Sequence, residues 1–263
     1  MVDKNLKAVI LAGGAGTRLS EETVNKPKPL VEIGGKPILW HIMKIFSHFG
    51  VIEFYICLGY KGYEIKRYFI DYMTHHSNLT VQLGKDSEVY VHPQHTENWK
   101  VHLIDTGENT MTGGRLKRLA PYLAKESEFF FTYGDGVGNV NLERLLSFHR
   151  SHGGCATVTS VAPPGRFGAV ESDDAYRVTG FNEKPRGDGL RVNGGFFVLT
   201  PAVFEVISND ATIWELEPMQ TLVQQSQLYT FVHEGFWRPM DTLSDKVTLN
   251  KMWDLGEAPW KLW

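Results

Sequence analysis

Two short stretches of this chain carry groups suited to a polyphosphate. Residues 7 to 19 read Lys-Ala-Val-Ile-Leu-Ala-Gly-Gly-Ala-Gly-Thr-Arg-Leu, an apolar run that stops at a glycine cluster and leads at once into Thr17-Arg18. A basic, proline-rich segment, Lys26-Pro27-Lys28-Pro29, follows. A buried strand ending in a loop of bare backbone, ringed by cations, offers amide N–H groups and fixed positive charge to phosphate oxygens. Glycine after a strand also serves simple tight turns, because it takes positive φ without steric cost. Neither generic phosphate motif settles the matter. No Gly-x-x-x-x-Gly-Lys-Ser/Thr string occurs, and the dinucleotide fingerprint begun by Gly14-Ala15-Gly16 finds Leu19 where its third glycine belongs.

Four further segments carry chemistry. Tyr133-Gly134-Asp135-Gly136 follows an apolar run, so Asp135 suits a hard cation at a strand's carboxyl end or, equally, a turn. Trp237-Arg238-Pro239-Met240-Asp241-Thr242 places Asp241 just before a helical pattern, where an N-cap carboxylate is the competing reading. Phe181-Asn182-Glu183-Lys184-Pro185 sets a carboxylate beside a cation, and Val192-Asn193-Gly194-Gly195-Phe196 opens glycines onto a strand.

The elements that must hold these groups alternate. Residues 8–12, 54–58, 129–132 and 156–161 read as strands, and residues 38–49, 62–72 and 142–152 as helices with apolar residues at three-to-four spacing. That order predicts a mostly parallel sheet covered on both faces, with ligands outside the carboxyl ends of its strands. The loops after Ala12, Leu58 and Thr132 are therefore expected to line one crevice. Beyond residue 170 the pattern predicts strands at 177–181 and 196–199 and helices at 221–226 and 243–255. Residues 79–105 lack helical period and read as short strands and loops. The aromatic tail Trp260-Lys261-Leu262-Trp263, with Trp253, either covers the core or forms a subunit contact. No repeat, low-complexity run or linker divides the chain, which reads as one unit with a core at 1–205 and an annex at 206–263.

Bulk properties exclude several classes. The chain has 263 residues, 42% hydrophobic and 22% charged, with a net charge of -3. That balance gives no electrostatic case for nucleic acid or an anionic membrane. The apolar run at 8–12 is too short to span a bilayer and lacks signal-peptide flanks. The 2 cysteines, Cys57 and Cys155, sit in strand-like contexts and read as buried thiols in a reducing, cytoplasmic setting. There are 10 histidines but no His-Glu-x-x-His, and His75-His76 and the His149/His152 pair read as surface residues rather than metal ligands.

Taken together, these segments resemble the sugar-1-phosphate nucleotidyltransferases. The likeness is carried by residues 11–19, by Pro27-Lys28-Pro29-Leu30 and Gly35-Lys36-Pro37-Ile38, and by Gly134-Asp135, Glu183-Lys184-Pro185 and Asn193-Gly194-Gly195, over most of the chain from Lys7 to about Asp241. Ser20-Glu21-Glu22-Thr23, Met111-Thr112-Gly113-Gly114-Arg115-Leu116-Lys117-Arg118, Pro163-Pro164-Gly165-Arg166-Phe167-Gly168, and Phe236-Trp237 with Pro239-Met240-Asp241-Thr242 resemble the family's cytidylyl branch. The thymidylyl and uridylyl branches carry a Pro soon after Thr-Arg-Leu and an Asp-x-Gly-Thr-Pro near the second Asp, and this chain has neither.

The resemblance implies an α/β, Rossmann-like three-layer fold with a mixed, mostly parallel sheet and a small C-terminal annex. It implies transfer of a cytidylyl group from CTP to glucose 1-phosphate, giving CDP-glucose and pyrophosphate for dideoxyhexose and O-antigen synthesis. UTP or dTTP as donor, or a nucleotide-sugar-sensing module without turnover, are the alternatives. Lys28 and Arg18 are implied as catalytic cations, at the α-phosphate and the departing phosphates respectively. Leu11, Ala12, Gly13, Gly14, Ala15, Gly16, Thr17 and Gly134 would line the nucleotide. Thr112 and Arg115 would read the pyrimidine or grip the triphosphate. Asp135 and Asp241 would share one Mg²⁺. Lys184 would neutralise the sugar phosphate, with Glu183, Asn193 and the backbone of Gly168 meeting the sugar. Analogy with such families also suggests a homo-oligomer.

Overall fold

A computed structural model of the chain describes residues 6–14, 16, 19–24, 26–85, 87–92, 97–163, 169–182 and 191–263, with backbone alone at 20, 21, 169–172, 181 and 182. Strands β1 (Lys7–Leu11), β2 (Glu53–Leu58), β3 (Lys100–Asp105), β4 (Phe129–Tyr133), β5 (Ala156–Val161), β6 (Val192–Leu199) and β7 (Leu228–His233) form the central sheet in the order β7-β5-β6-β4-β1-β2-β3. The pairs β1 with β2, β1 with β4, β2 with β3 and β5 with β7 are parallel. β6 runs antiparallel to both β5 and β4, which makes the sheet mixed.

Helices α1 (Ile38–His48), α2 (Gly62–Ile70), α3 (Thr112–Lys117), α4 (Leu142–His152), α5 (Glu217–Gln224) and α6 (Leu243–Asp254) cover the sheet. Parallel strands buried on both faces read as unbroken apolar runs, and Phe129-Phe130-Phe131 in β4 is one. Alternate residues then serve opposite layers. Ala8, Ile10, Phe54, Ile56 and Phe130 pack with Ile42, Ile45 and Leu145 of α1 and α4. Val9, Leu11, Tyr55, Phe129 and Phe131 pack with Leu116 and Leu222 of α3 and α5. The result is the expected three-layer α/β arrangement.

Three expectations need adjustment. The stretch read as short strands and loops contains β3, a full member of the sheet at its edge. Its four central residues are only half-buried and its two ends are exposed, because one flank has no neighbouring strand. The strands Asn78–Gln82 and Glu88–His92 pair with each other as an exposed ribbon. The annex is woven into the core, since β7 completes the far edge of the sheet and Trp260 is fully buried. The His149/His152 pair is not a surface feature. His149 is buried with its Nδ1 2.8 Å from Thr157 Oγ1, and His152 Nε2 lies 2.7 Å from the same hydroxyl. Both cysteines are free thiols, Cys57 buried and Cys155 half-buried.

The tail closes over α1. His41 has its Nε2 2.8 Å from the carbonyl of Ile33, so that nitrogen donates, and Nδ1 accepts the Trp260 indole N–H at 3.3 Å. Trp253 packs edge-on against the same imidazole, with ring centroids 4.8 Å apart. Burial pushes His41 down to about 4, and it does the same to His149. Both folded-state values lie below the ordinary value of 6.5, so this contribution to stability is whole above pH 6.5 and is lost as pH falls toward 4. Each should cost about 1 kcal/mol of unfolding free energy between pH 7 and pH 5.5, which urea titrations at the two pH values will measure. A flat profile over that range would contradict the neutral assignment.

Candidate active site

The cleft lies at the carboxyl edge of the sheet, where β1 and β4 end. It encloses about 280 Å³ and is lined by Leu11, Ala12, Gly14 and Gly16 on one side, by Tyr133, Gly134 and Asp135 on another, and by Lys28, Pro29, Thr112 and Asp241. The loop after β2 supports this cleft instead of lining it, because the amide of Tyr60 donates to the carbonyl of Gly13 at 3.1 Å. The floor is fixed by backbone bonds from Ala12 N–H to Cys57 O (3.0 Å) and from Gly134 N–H to Leu11 O (2.9 Å).

Lys28 starts a single 3-10 turn, Lys28–Leu30, between two prolines. Pro27 is extended at φ -67, which sets the entry to the turn, and the amide of Val31 closes it on Lys28 O at 3.0 Å. The turn buries the lysine stem and drives its ammonium into the cleft, where Nζ donates to Asp135 Oδ2 at 2.7 Å and to Asp241 Oδ1 at 2.6 Å. Burial alone would lower the Lys28 pKa, but the Asp135 and Asp241 carboxylates outweigh it and hold the value above its ordinary 10.5. Lys26 pairs with Glu32 instead, at 3.1 Å.

The two aspartates are 106 residues apart in sequence, and a short ribbon brings them together. Gly136–Gly138 pairs antiparallel with Trp237–Pro239 through Gly136↔Pro239, Val137↔Arg238 and Gly138↔Trp237, and Met240 N–H donates to Asp135 O at 2.8 Å. Asp241 is not the cap of α6. That role falls to Thr242, whose hydroxyl accepts from Asp245 N–H while the Asp245 carboxylate accepts from Thr242 N–H. The cap is satisfied by its neighbours, and Asp241 turns into the cleft.

The glycines of the signature loop answer to different constraints. A Cβ on Gly13 would sit 2.3 Å from Arg115 Nη1, and Gly14 faces open space. Gly16 has a φ of +66°, in the left-handed region where side chains are strained. Arg115 thus explains the first glycine. Its guanidinium is buried and donates to five oxygens, on Leu58 (2.9 Å), Thr106 (2.9 Å), Gly107 (2.7 Å), Gly13 (3.1 Å) and Glu108 (3.0 Å). The expectation that Arg115 reaches the nucleotide directly is not what the side chain does here. It braces the loop from beneath, because a planar fork satisfies several converging carbonyls at once.

Thr112 does line the cleft, with its hydroxyl donating to Glu215 at 2.7 Å and accepting the Trp214 amide at 2.9 Å. Asn193 lies at a register irregularity between β5 and β6, its amide nitrogen 3.1 Å from the Tyr133 hydroxyl. Tyr133 and Glu215 were not singled out as functional from sequence. Tyr133 carries a signal in its place beside Gly134-Asp135, whereas Glu215 has none. Ala15, Thr17, Arg18, Gly168, Glu183 and Lys184 lie outside the described residues.

A glycine loop, a buried lysine and two convergent carboxylates at the carboxyl edge of a parallel sheet define a nucleotide-handling phosphoryl-transfer enzyme. Residues 7–251 match the nucleotidyl transferase family, and the chain belongs to it. The glucose-1-phosphate cytidylyltransferases of Salmonella typhi and of Salmonella typhimurium strain LT2 are each 57% identical to it over 258 residues, covering 98% of this chain and 100% of theirs. The crystal structure of HddC from Yersinia pseudotuberculosis superposes with a TM-score of 0.66 at 24% identity, covering 94% of this chain and 99% of that one, and so shares the fold.

Proposed function

We propose that this chain is a glucose-1-phosphate cytidylyltransferase, joining CTP and α-D-glucose 1-phosphate into CDP-glucose with release of pyrophosphate. The observation that carries the reaction class is the meeting of Lys28, Asp135 and Asp241 beside the glycine loop. The choice of substrates is supported by the 57% identity, end to end, to enzymes of that name.

An oxygen of the sugar phosphate attacks the α-phosphorus of CTP. That bond forms as the bond from the α-phosphorus to the bridging oxygen breaks, and pyrophosphate departs with the electron pair. The attacking group is already ionised, so no protein nucleophile or general base is needed. Catalysis is positioning plus neutralisation of two anions that repel each other. Leu11, Ala12, Gly14 and Gly16, which line the cleft, would form the wall on which the nucleotide lies. Lys28 supplies the compact charge at the α-phosphate. Arg18 would take the departing phosphates, Lys184 the sugar phosphate, and Glu183, Asn193 and Gly168 the sugar.

The donor set fits one Mg²⁺. Both carboxylates approach a single point closely enough to share one ammonium. Among the described residues no cluster of three or more His, Cys, Asp or Glu side chains forms, so phosphate oxygens and water must supply the remaining ligands of an oxygen-loving ion. Bound there by Asp135 and Asp241, the ion would neutralise phosphate charge and polarise the α-phosphorus. In the free protein Lys28 itself balances the two carboxylates.

Among the described residues no helix is long and apolar enough to cross a membrane. A cytoplasmic homo-oligomer serving dideoxyhexose and O-antigen synthesis completes the proposal. The exposed Leu79, Val81, Val89 and Val91 of the outer ribbon support association. The test of function is pyrophosphate release from CTP, UTP, GTP, ATP and dTTP, each with glucose 1-phosphate. CTP should be preferred, and preference for UTP or dTTP would overturn the cytidylyl reading.

A further inference from the structure

Glu215 lies in the turn that precedes α5, far in sequence from every motif of the cleft. Its place is set by Trp214, which is fully buried and packs edge-on against Phe131 and Phe197 at 5.9 and 6.1 Å. The preceding segment is stitched to the start of α3, with Met111 N–H donating to Asp210 O at 2.8 Å and Gly113 N–H to Thr212 O at 3.0 Å. From this anchored position the Glu215 carboxylate accepts two hydroxyls, Thr112 at 2.7 Å and Tyr133 at 2.5 Å.

Hydrogen-bond direction follows without ambiguity. The Tyr133 hydroxyl donates its hydrogen bond to a Glu215 carboxylate oxygen. The phenol oxygen is then left to accept, and it takes the amide N–H of Asn193 at 3.1 Å. Asn193 Oδ1 accepts from Gly195 N–H at 2.8 Å, which fixes which end of the amide is which. The relay Glu215–Tyr133–Asn193 runs one way.

We propose that Glu215 is a positioning residue for the sugar phosphate, acting through Tyr133 to hold Asn193 in the orientation that meets a sugar hydroxyl. This rests on the reading of Asn193 as a sugar contact. The nucleotide side depends on Glu215 less, because the Thr112 hydroxyl keeps its bond from the Trp214 amide at 2.9 Å. Removal of the carboxylate therefore acts on one substrate more than the other.

The test uses the full chain with Glu215→Ala, Asn193→Ala and the double variant, each checked for folding by thermal melting. Glu215→Ala should raise KM for glucose 1-phosphate about tenfold, the value of a charge-assisted hydrogen bond. KM for CTP should stay within about twofold of the parent. In the Asn193→Ala background the Glu215 substitution should add nothing further, the signature of action through a shared partner. If Glu215→Ala fails to fold, Glu215→Gln, which keeps the shape but loses one acceptor, should raise the same KM about threefold. Equal effects on both KM values, additive effects of the two substitutions, or no effect of a folded variant would each overturn the proposal. Failure of the parent chain to turn over glucose 1-phosphate would instead overturn the functional reading on which it rests.

Discussion

Lys28→Ala should lower turnover by at least about a hundredfold, equivalent to roughly 2.7 kcal/mol of transition-state stabilisation. Among the described residues lining the cleft, Lys28 is the cation, held on a 3-10 turn that follows Pro27 and contains Pro29, and it contacts both carboxylates. The substitution also has a consequence that needs no turnover to read. In the parent chain the ammonium holds one oxygen of each carboxylate and so competes with a divalent cation for Asp135 and Asp241. Lys28→Ala removes that competitor and leaves two carboxylates facing each other, an arrangement that favours a doubly charged ion. Binding of Mn²⁺ without nucleotide, followed by calorimetry or electron paramagnetic resonance, should therefore tighten as catalysis collapses. Near-normal turnover, or weaker Mn²⁺ binding in a folded variant, would show that Lys28 has been assigned the wrong work.

The second large effect is expected at Arg115. Its five acceptors include the carbonyl of Gly13 in the signature loop, and its guanidinium fills the space that a side chain at Gly13 or Gly59 would need. Arg115→Ala strips hydrogen bonds from buried carbonyls and leaves a cavity beneath the loop. The expected loss is about 4 kcal/mol of stability, or a melting temperature lower by roughly 10 °C for a chain of this size. Arg115→Lys should recover only part of it, since an ammonium cannot span acceptors laid out for a planar fork. Thermal denaturation beside CTP titration separates two roles. A variant as stable as the parent that has lost only CTP affinity would mean that Arg115 grips the nucleotide directly.

Much of this was legible in the chain itself, for identifiable reasons. Residues 142–152 and 156–161 match α4 and β5 end to end, because Asn141 caps the helix, Gly153 ends it in the left-handed region, and the apolar periods are clean. Residues 8–12 announce β1 because a strand buried on both faces needs an unbroken apolar run. β3 was obscured because an edge strand with Lys100, His102 and Asp105 lacks that run. The histidines of α4 were misread because Thr157, on the next strand, takes both rings, and only the packed sheet reveals that.

What the sequence determined by itself was local: where strands and helices begin, which loop exposes its backbone, and which residue types stand ready for a polyphosphate. It also carried the family likeness, since that is written in contiguous strings. What only the tertiary structure decided were the juxtapositions. Asp135 and Asp241 share one ammonium because a small ribbon pairs residues 136–138 with 237–239. Arg115 serves the loop from beneath, and Glu215 reaches Asn193 through Tyr133. Hydrogen bonds between distant segments depend on distance and direction in the folded chain. Neither quantity is encoded in any window of sequence short enough to read.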